Sequence, residues 1–597
     1  MDKQQLEDQY KILCSKLIAE QNSNGFWTGK LSSSALAVAV SIVAIKLKGL
    51  PQHEERVTKG LQWLFDNVNA DGGYGDTPES ESNVSTSFLS YAAIKFCQAQ
   101  ESDGNKYLKG IENYLESQNI SLQSGNISKS VLNHYGKDYT FSVPILSMLT
   151  ICGILGDEDL RKVPQLPFEF TLLPASLYRF FNLQVVSYAI PALVAVGIYT
   201  FKKKNCSNII VKAIRNRSIK PTISKLTGLV PESGGFLEAI PLTAFVSMCL
   251  ISCGYSDNNI VEKGIGFLNN QQREDGSWPI DTDLSTWVTT LSIKALGDNL
   301  FNTFNPESIE LMKLHLLNLQ YKEKHPFNGA MPGGWGWTSY SGSVPDADDT
   351  SGAILALLEM YQGNDGETKA IIDGCNWLVN LQNRDGGMPT FCKGWGRLPF
   401  DSSCADLTGH ALLSITRSIN VLGDKISDDQ KNKFKRCAQR AMEYLQKNQH
   451  QDGHWLPLWF GNQQADRKKN PVYGTAKVAT YLQDCLKCMK IDYGLRANLQ
   501  LMLTSAQKYL LQQQNDDGSW GGQKGISGTM EETSLVICAL AKKDREVCAK
   551  GFTWLDKEYN SNGLRSKPIG LYFATLWYNE KMYPLTFYLE ALRRNLE

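Results

Sequence analysis

Gln272-Arg273-Glu274-Asp275-Gly276-Ser277-Trp278 decides the fold, because its frame of Gln, Gly four residues on and Trp two beyond that returns along the chain. The same frame stands at Gln21 to Trp27, Gln449 to Trp455 and Gln514 to Trp520, with looser copies at Val68 to Tyr74 and Gln382 to Met388. Before most copies, apolar residues fall at helical spacing, as in Ile265, Phe267 and Leu268 or Met442, Tyr444 and Leu445. After several copies a second apolar helix follows, so the unit is helix, turn, helix. Asp275-Gly276, Asp452-Gly453 and Asp517-Gly518 supply the turn, the Gly being free to take a positive φ. The repeat residues read as structural: Gln amides to satisfy helix-end backbone groups and Trp rings to cover the joints. Such an array, broken by irregular insertions, can close into a barrel of paired helices with a cavity at one end.

The chain has 597 residues, more than one ordinary core, and so calls for at least two domains. Its 61 basic and 61 acidic residues leave no net charge, which argues against nucleic-acid partners. MDKQQLEDQY has no apolar core of the secretory kind, and the 14 cysteines, without regular spacing, read as buried thiols in a reducing compartment. A cytoplasmic protein is expected. Cys485 and Cys488 lack a second ligand pair at zinc spacing, so they read as packing residues.

Pro345-Asp346-Ala347-Asp348-Asp349-Thr350 places three carboxylates in four positions before the apolar run Ser351 to Met360. Charges so close raise one another's cost, so one of the three should keep a proton near neutral pH. A helix cap at Asp349 or Thr350 accounts for part of the cluster and leaves Asp346 and Asp348 ahead of it, free to face a pocket.

Together these motifs resemble the squalene-hopene cyclase family of class II terpene cyclases, over essentially the whole chain. Gly333-Gly334-Trp335, Asp346-x-Asp348-Asp349-Thr350, Asp406-Leu407-Thr408-Gly409-His410 and Tyr473-Gly474-Thr475 stand in the family's order. The resemblance implies an all-α fold of two α/α barrels of the α6-α6 type, with the substrate cavity between them. The expected domains are residues 10–282 and 283–597, the second carrying the acid motif and joined by the N-terminal segment 1–9. Such enzymes fold a linear polyprene and protonate its terminal alkene, with no diphosphate leaving and no metal or other cofactor required.

On this resemblance Asp348 is the proton donor, flanked by negative charge on Asp346 and Asp349. His410 stabilises the carboxylate left after transfer, and Tyr473 helps water return the proton. An isolated His in a helix is more often a satisfied core residue, but His410 is the one of seven that falls in a family motif. Trp287, Trp337, Phe391, Trp459 and Tyr572 fall at the family's cation-stabilising aromatic positions, where desolvated ring faces are each worth about 2 kcal/mol or more. Composition alone would assign all five to core packing. Trp337 stands where hopene-forming members carry Phe, Phe391 where they carry Tyr, Val288 where they carry Asp, and Leu576 at a late aromatic position. Bulkier walls and a lost aromatic suit a shorter or truncated cyclisation.

Residues 163–204, apolar to Phe201 and closed by Lys202-Lys203-Lys204, lack the repeat. Pro191, Gln184 and Ser187 interrupt the apolar run, which therefore falls short of the roughly 20 residues of a membrane span. The family's equivalent region docks on one leaflet, so a monotopic contact with the inner face of the cell membrane is expected. A homodimer, frequent in the family, is left open. The substrate is squalene or a similar linear polyprene, a prenylated aromatic being the alternative. A protein prenyltransferase subunit would need a zinc site; Asp373-Gly374-Cys375 sits two apart on a helix and points apart. A non-catalytic helical-repeat protein would explain the repeats alone, and a class I synthase would need magnesium motifs that Asp348-Asp349-Thr350-Ser351-Gly352 does not supply.

Overall fold

The repeat copy at Gln449 to Trp455 ties three helices together. Gln449 Nε2 donates to the carbonyl of Gly453 in its own turn (2.8 Å) and to that of Met502 in the next outer helix (3.0 Å). The Trp455 indole N–H donates back to Leu445 (2.9 Å), while its backbone N–H is received by Thr475 Oγ1 on the following inner helix (3.0 Å). Gln514 and Trp520 repeat this with Gly518, Val547, Leu510 and Thr533. At Gly276 (φ +86°) a Cβ would lie 2.4 Å from the Lys59 carbonyl, so the turn needs glycine both for its dihedral and for the close approach of the next helix. The structure adds a copy that the sequence frame hides. Gln320 Nε2 donates to Gly333 and Ala370, and the Trp335 indole to Leu316, across an insertion that separates Gln from Gly by 13 residues.

The computed structural model describes residues 2–597 apart from 99–103, 121, 123–125, 136–138, 157–158, 160–161, 175–176, 178–185, 205–207, 395, 397, 489–492 and 572–575. In the C-terminal half, helices Ser285–Leu296, Ala347–Glu359, Ala405–Leu422, Pro471–Cys488, Met530–Leu540 and Met582–Leu596 pack each on the next, and the last returns to the first. Around this ring lie Pro306–Leu319, Asp365–Leu381, Asp428–Asn448, Tyr493–Gln512, Arg545–Asn562 and, against Met582–Leu596, the N-terminal helix Lys3–Ala19. In the other half, Ala35–Lys48, Val84–Cys97, Tyr139–Ile151, Val186–Lys203 and Ile240–Ser252 close a ring in the same way. The fold is thus mostly helical, built of α/α barrels. A three-stranded antiparallel sheet, Gly461–Asn462, Ile569–Leu571 and Leu576–Tyr578, pairs Gly461 with Gly570 and Ile569 with Tyr578.

Helical order follows from burial. The inner helices are apolar on nearly all sides, as in Ala35–Ile45, every residue of which is buried, whereas outer helices such as Glu54–Asp66 bury one stripe. Buried apolar residues fall into two clusters: one runs from Ala35 to Trp278 and takes in Phe327, Val344 and Cys392; the other joins Leu13, Leu17 and Trp27 to residues Trp287 to Leu592. The C-terminal ring also encloses an ion network. Arg594 Nε donates to Glu590 (2.8 Å) and its Nη1 to Asp484 (3.0 Å), and Lys294 pairs with Glu590 at 3.2 Å. Among the described residues no helix is long and apolar enough to cross a membrane.

Candidate active site

Because outer helices return the chain between inner ones, the inner helices of the C-terminal ring run parallel, and the acid motif lies where their N-termini converge. The positive ends of several helix dipoles therefore meet there, a setting that favours carboxylates. Helix Ala347–Glu359 starts earlier than the sequence suggests, and its cap is Asp346 rather than Asp349 or Thr350. Asp346 is extended (φ −134°, ψ 169°), and its Oδ1 accepts the N–H groups of Asp348 (2.9 Å) and Asp349 (2.8 Å). Thr350, assigned to the cap from sequence, instead receives the Trp335 N–H on Oγ1 (3.0 Å).

Asp346 and Asp349 are both buried, and their carboxyls face each other. Burial, with Asp348 adding to it, pushes Asp346 up to about 7 against the hydrogen bonds that hold its charge; burial and the neighbouring Asp346 push Asp349 well above the ordinary range. The pair therefore retains a proton at neutral pH.

Asp348, its side chain 16 % exposed, accepts or donates one bond of 2.5 Å to His410 Nδ1. His410 is buried, its ring stacked on Tyr481 (4.7 Å between centroids, 7° between planes) and set edge-on to Trp287 at 6.1 Å. Burial pulls His410 below its ordinary value, against the bond to Asp348, so the ring is a neutral imidazole at neutral pH. Asp406, one turn before His410, is pushed up to about 6 by burial and then by Asp348. Tyr473 is fully buried and stacked on Phe460 at 4.6 Å, and burial together with Asp348 raises its phenol well above the usual range.

The fold thus gathers Asp346, Asp348, Asp349, His410, Tyr473 and Trp287 at one place. Trp337 joins them through its backbone: its carbonyl accepts the N–H groups of Thr286 (3.0 Å) and Trp287 (3.4 Å). Its ring meets Phe391 edge-on at 6.0 Å, and Phe391 meets Trp459 edge-on at 5.8 Å. The Trp459 indole donates to Thr390 Oγ1 (2.6 Å), and the Thr390 carbonyl takes the N–H of Ala347, so the aromatic wall and the acid helix share one strap. Tyr572 lies outside the described residues. Sequence reasoning missed Phe400 and Tyr188, which stack at 5.2 Å and both touch Phe391. Neither lies in a repeat copy, so no periodic signal marks them.

No group of three or more His, Cys, Asp or Glu side chains suited to a metal stands among the described residues. Cys375 is buried with its thiol on Ser418 (3.3 Å), while Asp373 pairs at the surface with Lys369, so the two do not converge.

The chain belongs to the squalene-hopene cyclase family: residues 284–590 match the squalene-hopene cyclase C-terminal domain and residues 11–105 the N-terminal domain. It is 23% identical over 394 residues to the enfumafungin synthase of Hormonema carpetanum, covering 61% of this chain and 28% of that protein. It is 24% identical over 596 residues to the squalene hopane cyclase of Aspergillus fumigatus, covering 84% of this chain and 75% of that protein. A type II terpene cyclase from Scytonema, solved in complex with geranylgeranyl dihydroxybenzoate, aligns over 52% of this chain and 88% of that one, at 15% identity and a TM-score of 0.38.

Proposed function

We propose that this chain is a class II terpene cyclase in which Asp348 protonates the terminal alkene of a linear polyprene. The observation that carries the reading is the 2.5 Å Asp348–His410 bond, made by the one carboxyl of the motif that is not fully buried. With the His410 Nδ1–H donating to Oδ1, Oδ2 is left to hold the acidic proton. The alkene π pair takes that proton, forming a C–H bond and a tertiary cation, and the new carboxylate stays held by His410 and by the helix N-terminus. Trp287 stands beside the acid, and Trp337, Phe391 and Trp459 offer ring faces to the migrating cation. Tyr473 is buried beside Asp348, where it serves proton return.

The relatives' names favour a squalene-like substrate. Phe391, Phe400, Trp459 and Tyr188 pack on one another, and bulky aromatic walls favour a shorter fold of the chain, a prenylated aromatic being the second candidate. We place the domain boundary near residue 282, between the two core clusters. A membrane contact is proposed at Phe170, Leu172, Leu173, Ile209, Ile210 and Ile214, all exposed, on two segments that pack together beside Lys202 and Lys203; this would seat the enzyme on a leaflet facing the cytoplasm.

The test is to incubate detergent-solubilised enzyme and an Asp348→Asn variant with squalene and with geranylgeranyl arenes, and to read extracts by gas chromatography and mass spectrometry. A cyclic isomer that disappears in the variant supports the reading. Silence of the wild type on both substrates would refute it in favour of a non-catalytic repeat protein.

A further inference from the structure

Lys477, on helix Pro471–Cys488, is 2 % exposed, and its Nζ makes no hydrogen bond. It stands instead among three ring faces, 5.3 Å from the centroid of Trp287, 5.4 Å from Tyr481 and 5.8 Å from Phe587. Two of those rings, Trp287 and Tyr481, also enclose His410. A lysine buried without a partner is costly, and three aromatic faces recover part of that cost only while the amine is charged.

The surrounding charges are few. Lys294, from helix Ser285–Leu296, opposes the ammonium but is itself paired with Glu590. Asp348, Glu590 and Asp406, from three other inner helices, favour it. On the adjoining helix Met530–Leu540, Glu531 accepts the N–H of Lys567, and Glu532 accepts from Asn462 and Asn470, so both are engaged elsewhere. Burial, then Lys294, brings Lys477 down to about 8, which leaves it charged at neutral pH. A cavity of about 220 Å³ is lined by Trp287, His410 and Tyr481 together with Lys294 and Arg594.

Resting on the proposed function, we propose that Lys477 is a positioning residue for the acid: its ammonium, set behind the His410–Asp348 pair, stabilises the carboxylate that remains once Asp348 has given up its proton.

The experiment compares wild type, Lys477→Met and Lys477→Arg in two readouts. On the polyprene the wild type cyclises, kcat is followed against pH. Lys477→Met should lower the plateau about tenfold, as for loss of one neighbouring opposite charge. KM should be unchanged, and Lys477→Arg should restore the plateau. A lowered plateau with no rescue by Arg marks a structural role and overturns the proposal, as does an unchanged plateau. The second readout needs no turnover: 15N spectra of ring-labelled histidine, with His410 assigned by its loss in His410→Phe. Removing the nearby charge should raise the pH at which His410 titrates, and an unmoved titration overturns the proposal. A wild type silent on every polyprene would refute the cyclase reading while leaving this second result to be read by itself.

Discussion

Replacing His410 by Phe isolates one bond. The ring survives, so the stack on Tyr481 at 4.7 Å and the edge contact with Trp287 at 6.1 Å can be kept in the same buried volume. What is lost is the 2.5 Å hydrogen bond to Asp348. A hydrogen bond to a charged group contributes about 1.5–3 kcal/mol. That bond is strongest once Asp348 is ionised, so its loss falls on the transition state and not on substrate binding. At about 1.4 kcal/mol per tenfold, kcat should fall about 10- to 150-fold with KM unchanged. Initial rates of product formation on the accepted polyprene, with the thermal midpoint measured alongside, decide the matter. A kcat within threefold of wild type at an unchanged midpoint would show that His410 does not support the acid, and the proposed mechanism would fall with it.

The buried carboxyls make stability depend on pH in a definite direction. Asp346 at about 7 and Asp406 at about 6 lie above their unfolded values, so their contribution is full below about pH 4 and is lost as pH rises through 6 to 7. The thermal midpoint should fall between pH 5 and 8, and Asp346→Asn should flatten that fall; an equally steep curve in the variant would contradict it. Glu590 behaves oppositely: Lys294 and Arg594 hold it at about 2 against burial, so its contribution is lost as pH drops from about 4.5 towards 2. Arg594→Met leaves Asp484 and Glu590 buried without their partner and should cost about 3–5 kcal/mol in denaturant unfolding, whereas a cost below about 1 kcal/mol would mean that Lys294 alone suffices. Ile209→Ser with Ile210→Ser removes side chains that are 82% and 72% exposed and should reduce co-sedimentation with anionic vesicles more than tenfold, since each buried Ile is worth about 1.5–3 kcal/mol; unchanged sedimentation would move the membrane contact elsewhere.

The barrel architecture is written into the repeat because Gln, Gly and Trp each answer a local demand: a carbonyl to satisfy, a positive φ and a joint to fill. The copy at Gln320 escaped because an insertion lengthens the turn while leaving every hydrogen bond in place. The acid motif was legible as a cluster, but its cap was not. Which carboxylate of three turns back onto the helix depends on where the chain becomes extended, and Asp346 does so as its N–H bonds the Trp335 carbonyl, a contact set by tertiary structure. His410 was found through its motif. Lys477 was not, since a lysine in an apolar helix reads as one that reaches out to water, and only the closed ring shows that it cannot. Phe400 and Tyr188 enter the aromatic wall from stretches outside the repeat, so their meeting is a property of the fold.

Helix Met582–Leu596 is where segments far apart in sequence meet. Helix Lys3–Ala19 lies on Met582–Leu596, and Lys581 pairs with Glu20 across 561 residues of sequence. Contacts of such sequence separation form late in folding. Until Met582–Leu596 docks, helix Ser285–Leu296 lacks one neighbour and Lys294 lacks Glu590. The buried ion network and the surroundings of the acid motif are therefore completed together, by the same late docking of one helix.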